Sequence, residues 1–210
     1  FSFYLILSRI FGYIRDLLIA IHVGSGPIAD AFFVAFRIPN TFRRLFSEGT
    51  FNAAFVPSYS SQLVVKKKAK YFANTIFNIL LLSLLFLVFL VEIFMPGFVF
   101  IIAPGFEKNI DKLDLTITLT RITFPFLLFV SLSSFFSAIL NSHNKFAAAS
   151  ASPIILNIFL IITLSFSNYL NDQLVFYLSF AVSIAGLVQL LFLIYFVKKY
   201  FVPTLSFKFN

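Results

Sequence analysis

Cysteine is missing from these 210 residues, histidine occurs only as His22 and His143, and charged residues make up 11% of the chain. Without cysteine there can be no disulfide, thiolate metal site or thiol nucleophile. Two histidines give no basis for a histidine metal site or catalytic dyad. The chain also lacks a P-loop, a zinc-ligand pattern, a serine in a strained-turn motif and an Asp-rich pair able to hold magnesium for prenyl-diphosphate transfer. The run Gly24-Ser25-Gly26-Pro27 has two glycines but not the longer loop and Lys-Ser/Thr ending of a phosphate cradle, so it reads as a turn. The sequence does not point to an enzyme.

Apolar length is what the chain does have. Hydrophobic residues are 60% of it and the mean hydropathy is +0.98, whereas a soluble domain would carry about 25% charged residues. This composition is that of an all-α integral membrane protein, because in lipid each backbone amide must be satisfied within its own segment. The formal charge of +8 sits in spans and short loops and forms no soluble basic face, so it argues for anionic lipid rather than nucleic acid. The 33 phenylalanines reflect composition more than function. The first apolar segment carries charges mid-span and has no small-residue cleavage site, so it reads as a genuine span, slightly truncated, and not as a signal peptide.

About 20 apolar residues cross the hydrocarbon core, and six spans are expected: 1–23, 28–47 with a helical extension to 65, 72–102, 115–140, 147–166 and 174–197. Pro39, Pro96, Pro125 and Pro153 lie in or near spans and can kink them. The stretch 51–65 is ambiguous alone, but charge bias decides it. If it does not cross, one set of loops holds Lys66, Lys67, Lys68, Lys70, Lys145, Lys198 and Lys199, and the other only Lys108 and Lys112 among Glu107, Asp111 and Asp114. That asymmetry places both termini in the cytoplasm. The whole chain, 1–210, is then one six-span transmembrane bundle.

Arg9, Arg15, Arg37, Arg43 and Arg44 fall inside the first two spans. A central arginine costs on the order of 2.5 to 3.5 kcal/mol in lipid, so five facing lipid would cost roughly 15 kcal/mol. They must face something polar, and a water-filled cavity lined by guanidinium groups suits an anionic cargo, most naturally a phosphate. Against them stand Asp16, Asp30 and Glu48; five minus three leaves +2. Residues seven apart differ by about 20° in direction, so Arg9 and Asp16 share a face, as do Asp30, Arg37 and Arg44 apart from the distortion at Pro39. Asp16 also follows Arg15 directly and can balance it. Plainer roles exist: Arg43 and Arg44 as snorkelling anchors, Arg37 as an anchor or ion-pair partner, Asp30 as a helix N-cap. Glu92, with no partner nearby in sequence, either snorkels outward or acts as a protonatable coupling residue.

SRIFGYIRD (8–16) and ADAFFVAFRIPNTFRRLFSEGTFNAAFVP (29–57) resemble the N-terminal signature of the MurJ/MviN family of lipid II flippases. APGF (103–106), RITFPFLLFVSLSS (121–134) and AILNSHNKF (138–146) resemble later segments of that family in the same order. The family belongs to the multidrug, oligosaccharidyl-lipid and polysaccharide exporter superfamily, whose members have two six-helix bundles around a central cavity. The resemblance implies that this chain corresponds to the N-terminal bundle alone, in a bacterial cytoplasmic membrane. It further implies a substrate site at Arg9, Arg15 and Arg43, with Asp16, Asp30, Asn40 and Glu48 as cavity or gate residues. The cargo would be lipid II, an undecaprenyl-pyrophosphate-linked disaccharide-pentapeptide, with membrane lipids and cell-wall synthesis proteins as further partners. No cofactor or metal is implied; coupling to the membrane potential or a monovalent cation would run through the second bundle. A polysaccharide-lipid flippase, a cation-coupled drug exporter or a non-transporting assembly subunit would share the bundle.

Overall fold

The computed structural model describes residues 2–47, 50–170 and 173–205, and the side chains of these except 2, 38, 42–47 and 50. Among the described residues all regular structure is helical. Helix α1, Ser2–His22, ends in a turn where Gly24 (φ 68°) and Gly26 (φ 141°) take left-handed backbone that a side chain would disfavour. Pro27 then opens α2, Pro27–Ser47, its fixed φ and missing N–H being harmless at a first helical position. After α3, Thr50–Gln62, the helix α4 runs from Lys66 to Ile93. The lysine run is thus the first turn of α4 and not a loop, since lysine is a good helix former and the helix needs no apolar environment to begin.

Breaks inside the two longest apolar segments coincide with prolines. Phe94 separates α4 from α5, Met95–Ile102, in which Pro96 lies in the first turn. A 3-10 turn, Pro104–Lys108, leads to α6, Ile110–Thr123, capped by Asn109, whose side chain accepts from the Lys112 N–H at 3.0 Å. Pro125 then separates α6 from α7, Phe126–Ser142. Asn144, at φ 57°, turns the chain into α8, Phe146–Ser165; a single turn, α9 (Ser167–Leu170), precedes α10, Leu174–Val197.

Among the described residues four helical segments are long and apolar enough to cross a membrane by length and composition: Lys66–Ile93, Ile110–Ser142 (α6 with α7), Phe146–Ser165 and Leu174–Val197. Helices α1 and α2 have 21 residues each, but every 18-residue stretch of either holds at least three charges, whereas each of the other four contains such a stretch with at most two.

Helix α7 is the hub, packing against α2, α3, α4, α8 and α10. Small residues let it approach α10 closely: a Cβ on Gly186 would overlap the ring of Phe126, which is how helices gain contact when lipid is as apolar as their own side chains. Large apolar residues such as Phe86, Phe89, Ile101, Phe180 and Leu191 point outward, fully consistent with a lipid-facing belt.

Candidate functional site

Arg15 lies where three helices meet. Its Nε and Nη2 both donate to Oδ1 of Asp16, at 2.9 and 2.7 Å, and its Nη1 donates to Oδ1 of Asn157 on α8 at 2.8 Å. The guanidinium carbon also stands 5.9 Å from the ring centroid of Phe36 on α2. Asn157 is itself fixed, donating through Nδ2 to the Ser8 carbonyl oxygen at 3.2 Å. The Cβ that Gly12 lacks would sit 3.7 Å from that same nitrogen. The amide is therefore held between α1 and its own helix, and it orients the guanidinium by one of that group's five N–H bonds.

Around this contact is a crevice of about 140 Å³ between α1 and α8, lined by Ser8, Arg9, Gly12, Arg15, Pro153 and Asn157, among others. Arg9 and Arg15 both open onto it, about 9 Å apart along the helix axis at 1.5 Å per residue. Arg9 is exposed. Arg15 is mostly covered, its side chain 18% exposed, while Asp16 is 65% exposed. The arrangement is a nearly buried cation on a rigid amide, with a counterion free to swing into solvent. Arg15 uses three N–H groups on these partners, leaving two for an incoming oxyanion.

The other residues expected at a site are placed differently. Asp30 does not line the crevice and is not an N-cap, because α2 already begins at Pro27. It accepts instead from Nζ of Lys112 on α6 at 2.6 Å, and that ammonium lies 3.9 Å from the ring centroid of Phe106. The pair clasps α2 to α6. Asn40 is half-buried on α2 just after Pro39 and does not line the crevice. The Arg37 side chain is exposed. The side chains of Arg43 and Arg44, and all of Glu48, lie outside the described residues. Glu92 faces charge from a distant part of the chain, Arg121 of α6, and Arg9 and Asp16, although on one helical face, are not an ion pair.

Two participants escaped the sequence reading. Asn157 had a signal available, a polar amide inside an otherwise apolar span and now 5% exposed. Lys112 had none, because its surroundings in sequence are acidic and its partner is 82 residues away.

Known proteins supply an independent comparison. The profile of the family described as lipid II flippase MurJ matches residues 19–210. A protein of Rickettsia prowazekii named "Probable lipid II flippase MurJ" is 42% identical over 200 residues, covering 94% of this chain and 39% of the relative. One of the same name from Rhizobium tropici is 44% identical over 189 residues, covering 87% and 36%. A solved structure titled "Lipid II flippase MurJ, inward closed conformation" superposes with a TM-score of 0.80 at 29% identity, over 97% of this chain and 43% of that one. The chain thus spans about two fifths of the length of these relatives. Their names denote transporters, not enzymes, and with four membrane-length apolar helices the chain is a multi-pass membrane protein.

Proposed function

This chain belongs to the lipid II flippase MurJ family, and from that premise we propose that it forms the arginine-bearing N-terminal bundle of a flippase that carries lipid II from the inner to the outer leaflet of the cytoplasmic membrane. In this reading α1 and α2 cross the membrane beside the four apolar segments, giving six spans with both termini cytoplasmic, as the lysine asymmetry requires. Their internal charges face the cavity between this bundle and a second one, where they avoid lipid.

The observation that carries the proposal is the Arg15 site: a guanidinium fixed by Asn157, beside Arg9, with an exposed carboxylate as its exchangeable counterion. In the empty cavity Asp16 neutralises Arg15. An arriving pyrophosphate first takes the two free N–H groups of Arg15 and then replaces Asp16 on Nε–H and Nη2–H, since a doubly oxygenated anion matches the guanidinium fork. Arg9 takes a second phosphate oxygen, and Arg43 is assigned a third contact by its sequence position. Asp30, with its partner Lys112, and Asn40 act as gate residues, and the resemblance assigns Glu48 to the same group. The undecaprenyl tail remains in lipid while the bundles rock about the bound phosphate. An inside-negative potential assists the outward movement of cargo charge by about 2.3 kcal/mol per charge per 100 mV.

The test is rescue of a bacterium depleted of its own lipid II flippase by the whole reading frame that encodes this chain. Wild type restores growth and Arg15→Ala, expressed to the same level, does not. Full rescue by Arg15→Ala would remove the phosphate clamp from this site, and failure of well-expressed wild type would turn the cargo into another lipid-linked precursor.

A further inference from the structure

A second cationic crevice lies at the lysine-rich end of the bundle, away from the Arg15 site. It measures about 530 Å³, and Lys66 and Lys70 of α4, Lys199 just past α10, His143 after α7, Tyr59 of α3 and Tyr200 line it. These residues come from four separate parts of the chain. What gathers them is the segment after α10, which folds back across α4: Asn74 donates to the Thr204 hydroxyl at 2.8 Å and accepts from the Thr204 N–H at 3.0 Å, and Asn78 donates to the Thr204 carbonyl oxygen at 3.2 Å. Phe201, 2% exposed and edge-on to Phe135, anchors the same segment in the core. Lys199 and Tyr200 are thereby fixed opposite the first turn of α4.

The wall is organised as well as charged. The His143 and Tyr200 rings stack with centroids 4.5 Å apart, and the Tyr59 hydroxyl is 3.4 Å from His143 Nε2. Among the described residues no carboxylate lines the crevice, and three ammonium groups face it. Its height in the fold is set by its neighbours: Lys66 and Lys70 immediately precede the apolar length of α4, and Lys199 immediately follows that of α10. This is the boundary between apolar and polar surroundings, where phospholipid phosphates lie. On the other side of Lys199 and Tyr200 is a neighbouring crevice of about 510 Å³, walled by Leu140, Phe146 and Phe196 and edged by Lys145. A phosphate in the first crevice and an acyl chain descending over the second would use both.

We propose that this paired crevice binds the phosphate headgroup of an anionic phospholipid, with Lys66, Lys70 and Lys199 as its charge partners and Tyr59 and Tyr200 as hydroxyl donors. The site does not depend on the cargo assigned above. The test is native mass spectrometry of the protein released from nanodiscs of equal phosphatidylglycerol and phosphatidylcholine. Wild type retains phosphatidylglycerol selectively. The variant K66Q/K70Q/K199Q loses roughly a hundredfold in that preference, at about fivefold per lysine near an anionic surface. The variant K67Q/K68Q/K198Q, which removes the same charge from lysines outside the crevice, keeps it. Equal loss in both variants means diffuse surface charge and overturns the proposal, as does equal retention of the two lipids. Inorganic phosphate that protects the site equally well, without any lipid preference, overturns the lipid as its source. If K66Q/K70Q/K199Q does not fold, a photoreactive phosphatidylglycerol on wild type decides: labelling concentrated at residues 196–202 supports the site, and labelling spread over all lipid-facing helices overturns it.

Discussion

The hydroxyl of Thr123 on α6 donates to the carbonyl oxygen of Ala35 on α2 at 3.0 Å. Ala35 is the residue four before Pro39, and a proline has no N–H to return to that carbonyl. Thr123 is fully buried, so the bond satisfies across helices what α2 cannot satisfy within itself. Similarly, Ser183 of α10 donates to the Ile122 carbonyl oxygen beside the Pro125 break. Thr123→Val, which keeps the shape, is expected to lower stability by about 0.6 to 1.7 kcal/mol, the range for hydrogen bonds between membrane helices. In a Pro39→Ala background, where α2 regains its own N–H, the same change should cost measurably less. Thermal unfolding in detergent of the four proteins of this cycle checks the coupling.

Asn157 positions Arg15 without needing to touch cargo. Asn157→Leu removes the amide and leaves the guanidinium held on one side only, and a hydrogen bond to a charged group is worth about 1.5 to 3 kcal/mol. Transport in the depletion strain should fall roughly ten- to a hundredfold, with Arg15→Ala adding little once Asn157 is gone. Independent, additive losses would show that the two residues do not act as a unit.

The Asp30 to Lys112 pair separates a gate from an ornament of the surface. The pair is part-exposed, with the Asp30 side chain 56% and the Lys112 side chain 16% open to the surroundings, and ion pairs that solvent reaches contribute about 1 kcal/mol or less to stability. Asp30→Lys and Lys112→Asp should each leave the melting temperature almost unchanged while impairing transport, and the double swap should recover activity. A swap that stays inactive, with both proteins folded, would assign Asp30 a role beyond the clasp.

Gly186→Ala tests the tight crossing of α10 over α7. The added Cβ would stand 3.0 Å from Phe126 Cε2 and closer still to its Cδ2, and Phe126 is fully buried. Overpacking of this kind costs about 1 to 3 kcal/mol. Unfolding temperature should drop for Gly186→Ala and return partly in combination with Phe126→Leu.

Burial pushes the His143 imidazole below its ordinary value, while Lys66, Lys70 and Lys199 share its crevice with Tyr59 and Tyr200. A histidine whose folded value is depressed is held neutral, so the unfolded chain binds more protons as pH falls. Its contribution is complete above the unfolded value near 6.5 and is lost as pH drops through and below it. Melting temperatures measured from pH 8 to pH 5 should decline on the acid side, and His143→Gln should flatten that decline.

Reading along the chain located the apolar helices and singled out Arg9 and Arg15, because hydropathy and the energetic penalty of an arginine in lipid are local quantities. Composition alone set the all-helical class, and dense runs such as 8–16 and 29–57 carried the family resemblance. The breaks at Phe94 and Phe124 were foreshadowed by Pro96 and Pro125. What the chain order could not give was rotation and register between helices: in a membrane bundle the lipid-facing and protein-facing sides are nearly equally apolar, so no stripe marks which residues meet. Only tertiary structure therefore brought Asn157 to Arg15, Lys112 to Asp30 and Thr123 to the Ala35 carbonyl, and only the fold-back at Thr204 set Lys199 against Lys66 and Lys70.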